Sequence, residues 1–128
     1  MSEHNHQIPK ITRGELVRKR SSGEAFILVD VLTHEHFLRA HLPGAINVPV
    51  DRIHELAPLL FGRHDEIIVY CANIKCNAGP TAAKILDQLG FTNVRDFGGG
   101  IQEWIDGDLP LVISDEMRQE ILRHQKAA

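Results

Sequence analysis

The chain has 128 residues, 43% of them apolar and 24% charged, a balance that predicts one globular domain able to bury its own core. Fourteen basic side chains against seventeen acidic ones leave a net charge of −3, with no basic stripe of the kind that nucleic-acid binding requires. No apolar run is long enough to span a membrane, the polar start Met1-Ser2-Glu3-His4 lacks the apolar core of a secretory signal, and two cysteines make no disulfide framework; together these predict a cytoplasmic protein with reduced thiols.

In chain order, residues 1–7 read as a disordered polar tail. Thr12-Arg13-Gly14-Glu15 has the form of a capping box and opens a short helix that ends near Ser21-Ser22-Gly23. The apolar run Phe26 to Val31 predicts a strand buried on both faces. Thr33 caps a short helix to about Ala40, Pro43-Gly44 turns the chain, and Ile46-Asn47-Val48 is a short strand. Asp51 is expected to cap a helix whose apolar positions are Ile53, Leu56, Leu59 and Leu60. Ile67 to Tyr70 is the next buried strand, and Thr81 to Leu89 the next helix, stopped by Gly90. Val94 to Phe97 forms another strand before Gly98-Gly99-Gly100. A helical turn through Trp104 and a last helix capped by Ser114, with Met117, Ile121 and Leu122 on its apolar stripe, complete the chain. Strands alternating with helices through short links imply a mainly parallel sheet with helices on both faces.

Cys71 leaves the strand Ile67–Tyr70 and faces the following helix. In such sheets ligands bind beyond the carboxyl ends of strands, beside helix N-termini. Loop amides and the positive end of a helix dipole stabilise an anion there. An ordinary thiol titrates near ~8.5, and holding it mostly ionised at neutral pH takes roughly 2.7 kcal/mol. One helix end supplies about 0.3–1 kcal/mol when exposed and up to ~2 when partly buried. Loop amides or a cation must add the rest, and Lys75 is the cation in the loop. A small hydrophobe ending a strand is the competing reading.

The ordered motifs resemble a single-domain rhodanese. These are Leu28-Val29-Asp30-Val31, Glu35 and Phe37, His41-Leu42-Pro43-Gly44-Ala45-Ile46-Asn47-Val48-Pro49, Val69-Tyr70-Cys71, Leu89-Gly90-Phe91, Asn93-Val94, and Gly98-Gly99-Gly100-Ile101 with Trp104. The resemblance runs from about residue 10 to 112. It implies an α/β three-layer sandwich with a five-stranded, mainly parallel central sheet and helices on both faces. Residues 8–112 would form this domain, and 113–128 a helix that packs on it or faces a partner.

The resemblance also implies sulfurtransferase activity without cofactor or metal. Cys71 would take a sulfane sulfur from a small anionic donor such as thiosulfate, hold it as a persulfide, and pass it to cyanide or a thiol; a protein sulfur acceptor is a further candidate. The loop Ala72, Asn73, Ile74, Lys75, Cys76 and Asn77 would be the anion cradle, with Asp30 as a supporting residue at a neighbouring strand end. The cradle is about two residues longer than the family's usual loop, and its glycine comes late. Leu32 stands where the family usually has an arginine.

Cys76 lies five residues after Cys71 and is a candidate redox partner for it, by disulfide formation. The eight scattered histidines, with His4 and His6 in the tail, supply no second half of a zinc site. His41 is expected to be structural, the triple glycine to allow close backbone packing, and Trp104 to be core. Two other functions compete: a rhodanese-fold binding or regulatory module without turnover, and a cysteine-based phosphatase or arsenate reductase. The latter needs an arginine closing the loop on an oxyanion, and no arginine lies between Cys71 and the helix.

Overall fold

A computed structural model describes residues 7–126. The expected tail, apart from Gln7, lies outside the described residues, as do His4 and His6.

Helix α1 (Arg13–Ser21) starts at the anticipated capping box: Thr12 Oγ1 accepts the Glu15 N–H at 3.1 Å and Glu15 Oε1 accepts the Thr12 N–H at 2.9 Å. The chain continues through β1 (Ile27–Asp30), α2 (His34–Arg39), β2 (Ala40–His41) and β3 (Ile46–Asn47). A 3-10 turn at Val50–Arg52 leads into α3 (Ile53–Leu60). Then come β4 (Ile67–Tyr70), α4 (Ala78–Gln88), β5 (Val94–Phe97), α5 (Gly100–Asp106), β6 (Val112–Ile113) and α6 (Asp115–Lys126).

The central sheet is parallel, in the order β3-β1-β4-β5. It has four strands where five were expected. Beside β5 the chain makes only a single parallel bridge, Lys10 to Asp96, closed by Ile11 N–H to Asp96 O and Asp96 N–H to Pro9 O. Pro9 has no N–H to extend that pairing, and Thr12 already caps α1. β2 and β6 pair antiparallel in a separate ribbon.

Alternation along β4 divides the core. Ile67, Val69 and Cys71 join Val29, Val31, Ile53, Ala57, Ala82 and Leu86 in a layer under α3 and α4. Ile68 and Tyr70 join Ile11, Leu16, Leu28, Leu42, Phe97 and Trp104 under α1 and α5. Burying one such aliphatic side chain contributes roughly 1.5–3 kcal/mol. β4 is buried along its whole length because it lies inside the sheet with helices over both faces.

Three local expectations are corrected. Asp51 sits within the 3-10 turn and caps nothing; α3 has no side-chain cap at its start. Its buried positions are Ile53 and Ala57, while Leu59 and Leu60 are exposed, because the helix is only two turns long and its last residues run past the sheet. α4 begins three residues before Thr81, with Gly79 and Pro80 in its first turn, where an N–H has no partner within the helix and the proline's lack of one costs nothing. Ser114 caps α6 as expected, its Oγ accepting the Met117 N–H at 3.1 Å.

Candidate functional site

Cys71 follows β4 at the carboxyl end of the sheet, between the start of α4 and the start of α5. The residue is 97% buried, and its side chain, sulfur included, belongs to the α3/α4 core layer. That sulfur also accepts the Gly79 N–H at 3.2 Å. This donor is one of the unpaired amides at the N-terminus of α4. The N-cap residue, Asn77, makes no side-chain capping bond, and Pro80 brings no N–H of its own, so the amides of Ala78 and Gly79 are left for sulfur.

The second thiol stands beside the first. The side chains of Cys71 and Cys76 hydrogen-bond to each other, and the Cys71 sulfur also lies 3.6 Å from the Cys76 carbonyl oxygen. Burial, followed by the hydrogen bond with Cys76, pushes the Cys71 thiol up to about 12, although the Gly79 and Ala72 amides pull the other way. Burial also opposes ionisation of Cys76. There the Cys71 thiol and the amides of Ala72, Ala78 and Gly79 outweigh it, and the Cys76 thiol is shifted down. The two thiols therefore titrate as a unit.

The cradle is also redistributed. Of the residues Ala72 to Asn77, Ala72 provides an amide to the sulfurs. The Lys75 N–H is taken by Asn73 Oδ1 at 2.9 Å and the Cys76 N–H by the Asn73 carbonyl at 3.1 Å, so Asn73 shapes the loop without facing the sulfur. Ile74, Lys75 and Asn77 are exposed. Ala78 and Gly79, outside the expected cradle, supply the remaining donors. Pro80, which suits the first turn of a helix, is the sign in the sequence that marks them. From the other side, the Ile101 and Gln102 N–H groups at the start of α5 bind the carbonyls of Cys71 and Ala72 at 3.0 and 2.9 Å. Gly100, at φ +62°, lets that helix approach, as expected of the triple glycine.

Asp30 satisfies a nearby loop amide and faces the layer opposite Cys71. It pairs in register with Tyr70, so its side chain points into the α1/α5 layer, where Oδ1 accepts the Leu32 N–H at 2.9 Å. The carboxylate on the Cys71 face is Asp96, which pairs in register with Val69. Asp96 Oδ1 is buried and has no hydrogen-bond partner among the described residues, while Oδ2 lies 3.3 Å from Lys10 Nζ. A Cβ on Gly79 would sit 3.1 Å from Asp96 Oδ1 and 3.3 Å from Cys71 Sγ, so the carboxyl and the thiol share one small space. Burial raises the Asp96 pKa, partly offset by Lys10.

A cleft of about 290 Å³ opens here, lined among others by Lys10, Ile74, Cys76, Pro80, Asp96 and Glu103. Half-buried Cys76 faces it; Cys71 and Lys75 do not line it, and the cation at its edge is Lys10. His41 is structural: Nδ1 meets the Phe37 carbonyl at 2.8 Å and its ring stacks on Phe37. Trp104 is core, with its indole N–H donated to the Pro110 carbonyl at 2.8 Å. Among the described residues no three His, Cys, Asp or Glu side chains gather as metal ligands would, and no helix is long and apolar enough to cross a membrane.

A parallel sheet with a cysteine at the mouth of its inner strand, and a loop wrapped onto a helix N-terminus, defines a class of α/β proteins built around a cysteine loop. Residues 12–106 match the family model of the Rhodanese-like domain, and the chain belongs to that family. It is 39% identical to the HTH-type transcriptional regulator Rv0324 of Mycobacterium tuberculosis (strain H37Rv) over 79% of this chain, but spans only 43% of that regulator's length. It is 35% identical to thiosulfate sulfurtransferase PspE of Escherichia coli (strain K12), over 56% of this chain and 67% of PspE. The structure of the human single-domain sulfurtransferase TSTD1 superposes with a TM-score of 0.68 at 26% identity, covering 77% of this chain and 96% of that one. The family's relatives thus include named sulfurtransferases and a regulator.

Proposed function

We propose that this chain is a sulfurtransferase that carries a sulfane sulfur as a persulfide on Cys71. The observation that carries the reading is the Cys71 sulfur itself, at the carboxyl end of β4, bonded by the Gly79 amide and by a second thiol of lowered pKa. The ionised Cys71 sulfur is the nucleophile. Cys71 then attacks the outer sulfur of a donor such as thiosulfate. The bond between the two donor sulfurs breaks, sulfite leaves with its electron pair, and the Cys71 persulfide remains. The amides of Ala72 and Gly79 are placed to hold the developing negative charge. Lys10 at the cleft edge suits an anionic donor. Cyanide, a small thiol or a protein thiol would accept the sulfur.

A second reading, a regulatory module without turnover, draws on the 97% burial of Cys71 and on the regulator among the relatives. A cysteine-based phosphatase or arsenate reductase draws no comparable support, since among the described residues no arginine lines the cleft. The deciding experiment is intact mass after thiosulfate, mercaptopyruvate or glutathione persulfide. The sulfurtransferase should take up sulfur in a form released by reductant, and Cys71→Ser should take up none. A chain inert to all three donors is a module without turnover.

A further inference from the structure

We propose that Cys76 is the resolving thiol of this site: it attacks the sulfur of persulfidated Cys71, closes a Cys71–Cys76 disulfide and expels the sulfane sulfur as hydrosulfide. This rests on the persulfide reading above and adds a fate for the sulfur.

Three independent features of the loop point to it. First, Cys76 packs against the core layer that holds Cys71, and the Cys71 sulfur reaches the Cys76 backbone, so the Cys76 thiol neighbours the inner sulfur of any persulfide formed there. Second, the loop holds that contact by its own bonds. Asn73 takes the N–H groups of both Lys75 and Cys76, and the Cys71 sulfur lies 3.6 Å from the Cys76 carbonyl. Third, Cys76 is the thiol that faces the cleft, whereas Cys71 is 3% exposed. An external acceptor thus meets Cys76 before it meets Cys71. The amides of Ala72, Ala78 and Gly79 also stabilise the negative charge that the Cys76 thiol gains as it gives up its proton, the form that attacks a disulfide-type sulfur.

The step balances without an outside oxidant. Thiosulfate and the Cys71 thiolate give the persulfide and sulfite. The Cys76 sulfur then forms a bond to Cys71 Sγ as the bond from Sγ to the sulfane sulfur breaks, and the sulfane sulfur leaves with that bond's electron pair. It departs as hydrosulfide, carrying away the proton that Cys76 gives up. The two cysteines lose two electrons and the sulfane sulfur gains them. An external dithiol reductant restores the thiol pair, so the overall conversion takes thiosulfate and a dithiol to sulfite, hydrosulfide and a disulfide. Asp96 also lines the cleft into which the hydrosulfide leaves.

The test uses the full chain, reduced, freed of small thiols and mixed with thiosulfate. Intact mass is read without reductant, and sulfide is measured in the protein-free filtrate. Wild type should lose the mass of two hydrogens and release about one sulfide per chain. Cys76→Ser should instead keep one added sulfur and release no sulfide until a thiol is supplied. A wild-type chain that retains the added sulfur on Cys71 with both cysteines unlinked overturns the resolving role and leaves the persulfide reading standing. Sulfane sulfur mapped to the Cys76 peptide also overturns it, in favour of a relay. If neither protein gains sulfur or forms a disulfide, both readings fall together. The wild-type disulfide and sulfide yields decide the matter even if Cys76→Ser folds poorly.

Discussion

Asp30, the last residue of β1, and Asp96, the last but one of β5, look alike in the sequence, yet they face opposite layers. Asp30 pairs with Tyr70 and Asp96 with Val69, and the period of two along β4 sends them apart. Asp96 shares its space with Cys71, and burial holds its pKa above the ordinary value of 3.8. The sign of the effect on stability follows. As pH rises past the ordinary value, the unfolded chain releases a proton that the folded chain still holds. The stability due to neutral Asp96 is therefore full at low pH and declines as pH climbs through its folded pKa. Asn cannot titrate, so Asp96→Asn should gain on wild type between about pH 4 and pH 7, by roughly 1–3 kcal/mol for one buried unsatisfied group. Denaturant midpoints across that range test it, and two parallel pH curves would refute it. The Lys10 contact offsets little, because that lysine side chain is 71% exposed.

The cysteine loop is held between two helix N-termini. α4 offers amides to the two sulfurs, and α5 offers amides to the carbonyls of Cys71 and Ala72. That second contact depends on Gly100, whose left-handed backbone is combined with no room for a Cβ: an added carbon would run into the Cys71 carbonyl oxygen and stand 2.9 Å from the Ala72 carbonyl carbon. Gly23 is the natural control, at φ +75° with nothing within 4 Å. Alanine at position 23 should cost about 1 kcal/mol, the strain of the left-handed region alone. Alanine at position 100 should cost roughly 1–3 kcal/mol more, from the collision and the lost amide contacts, and should also impair sulfur uptake. Equal urea midpoints for the two variants would show that the packing of α5 on the loop is slack. The tight approach was legible in the triple glycine. The start of α4 was not, because a proline suits both a loop and a helix's first turn, and packing of Ala82, Ala83 and Leu86 against the sheet selects the longer helix.

At the scale of the whole molecule, the four-stranded sheet and its two apolar layers form a body to which α6 is loosely added. The helix meets the rest through the Ser114 N–H to Arg39 carbonyl bond of 3.1 Å and an exposed Arg39–Glu120 pair at 3.9 Å, while Ile121 and Leu122 are 43% and 44% exposed. An exposed ion pair contributes about 0–1 kcal/mol. Ending the chain after Ser114 should therefore shift the unfolding midpoint by about 1 kcal/mol or less and leave sulfur uptake on Cys71 intact. A large loss of stability would show that α6 is integral to the core.

The amino-acid sequence alone determined the alternation of strands and helices, the buried inner strands β1 and β4, the capping box of α1, and a cysteine at the mouth of the sheet. Each of these is written in local periodicity, in a cap, or in a residue beside a strand end. Tertiary structure decided which carboxylate shares the thiol's layer, which amides reach the sulfurs, and which of two cysteines meets solvent. Those outcomes depend on strand register and on where packing starts a helix, and both are settled between segments far apart in the chain. The closeness of the two cysteines was decided there too: the folded loop brings Cys76 back onto Cys71, with the Cys71 sulfur 3.6 Å from the Cys76 carbonyl oxygen, which a spacing of five residues does not fix by itself.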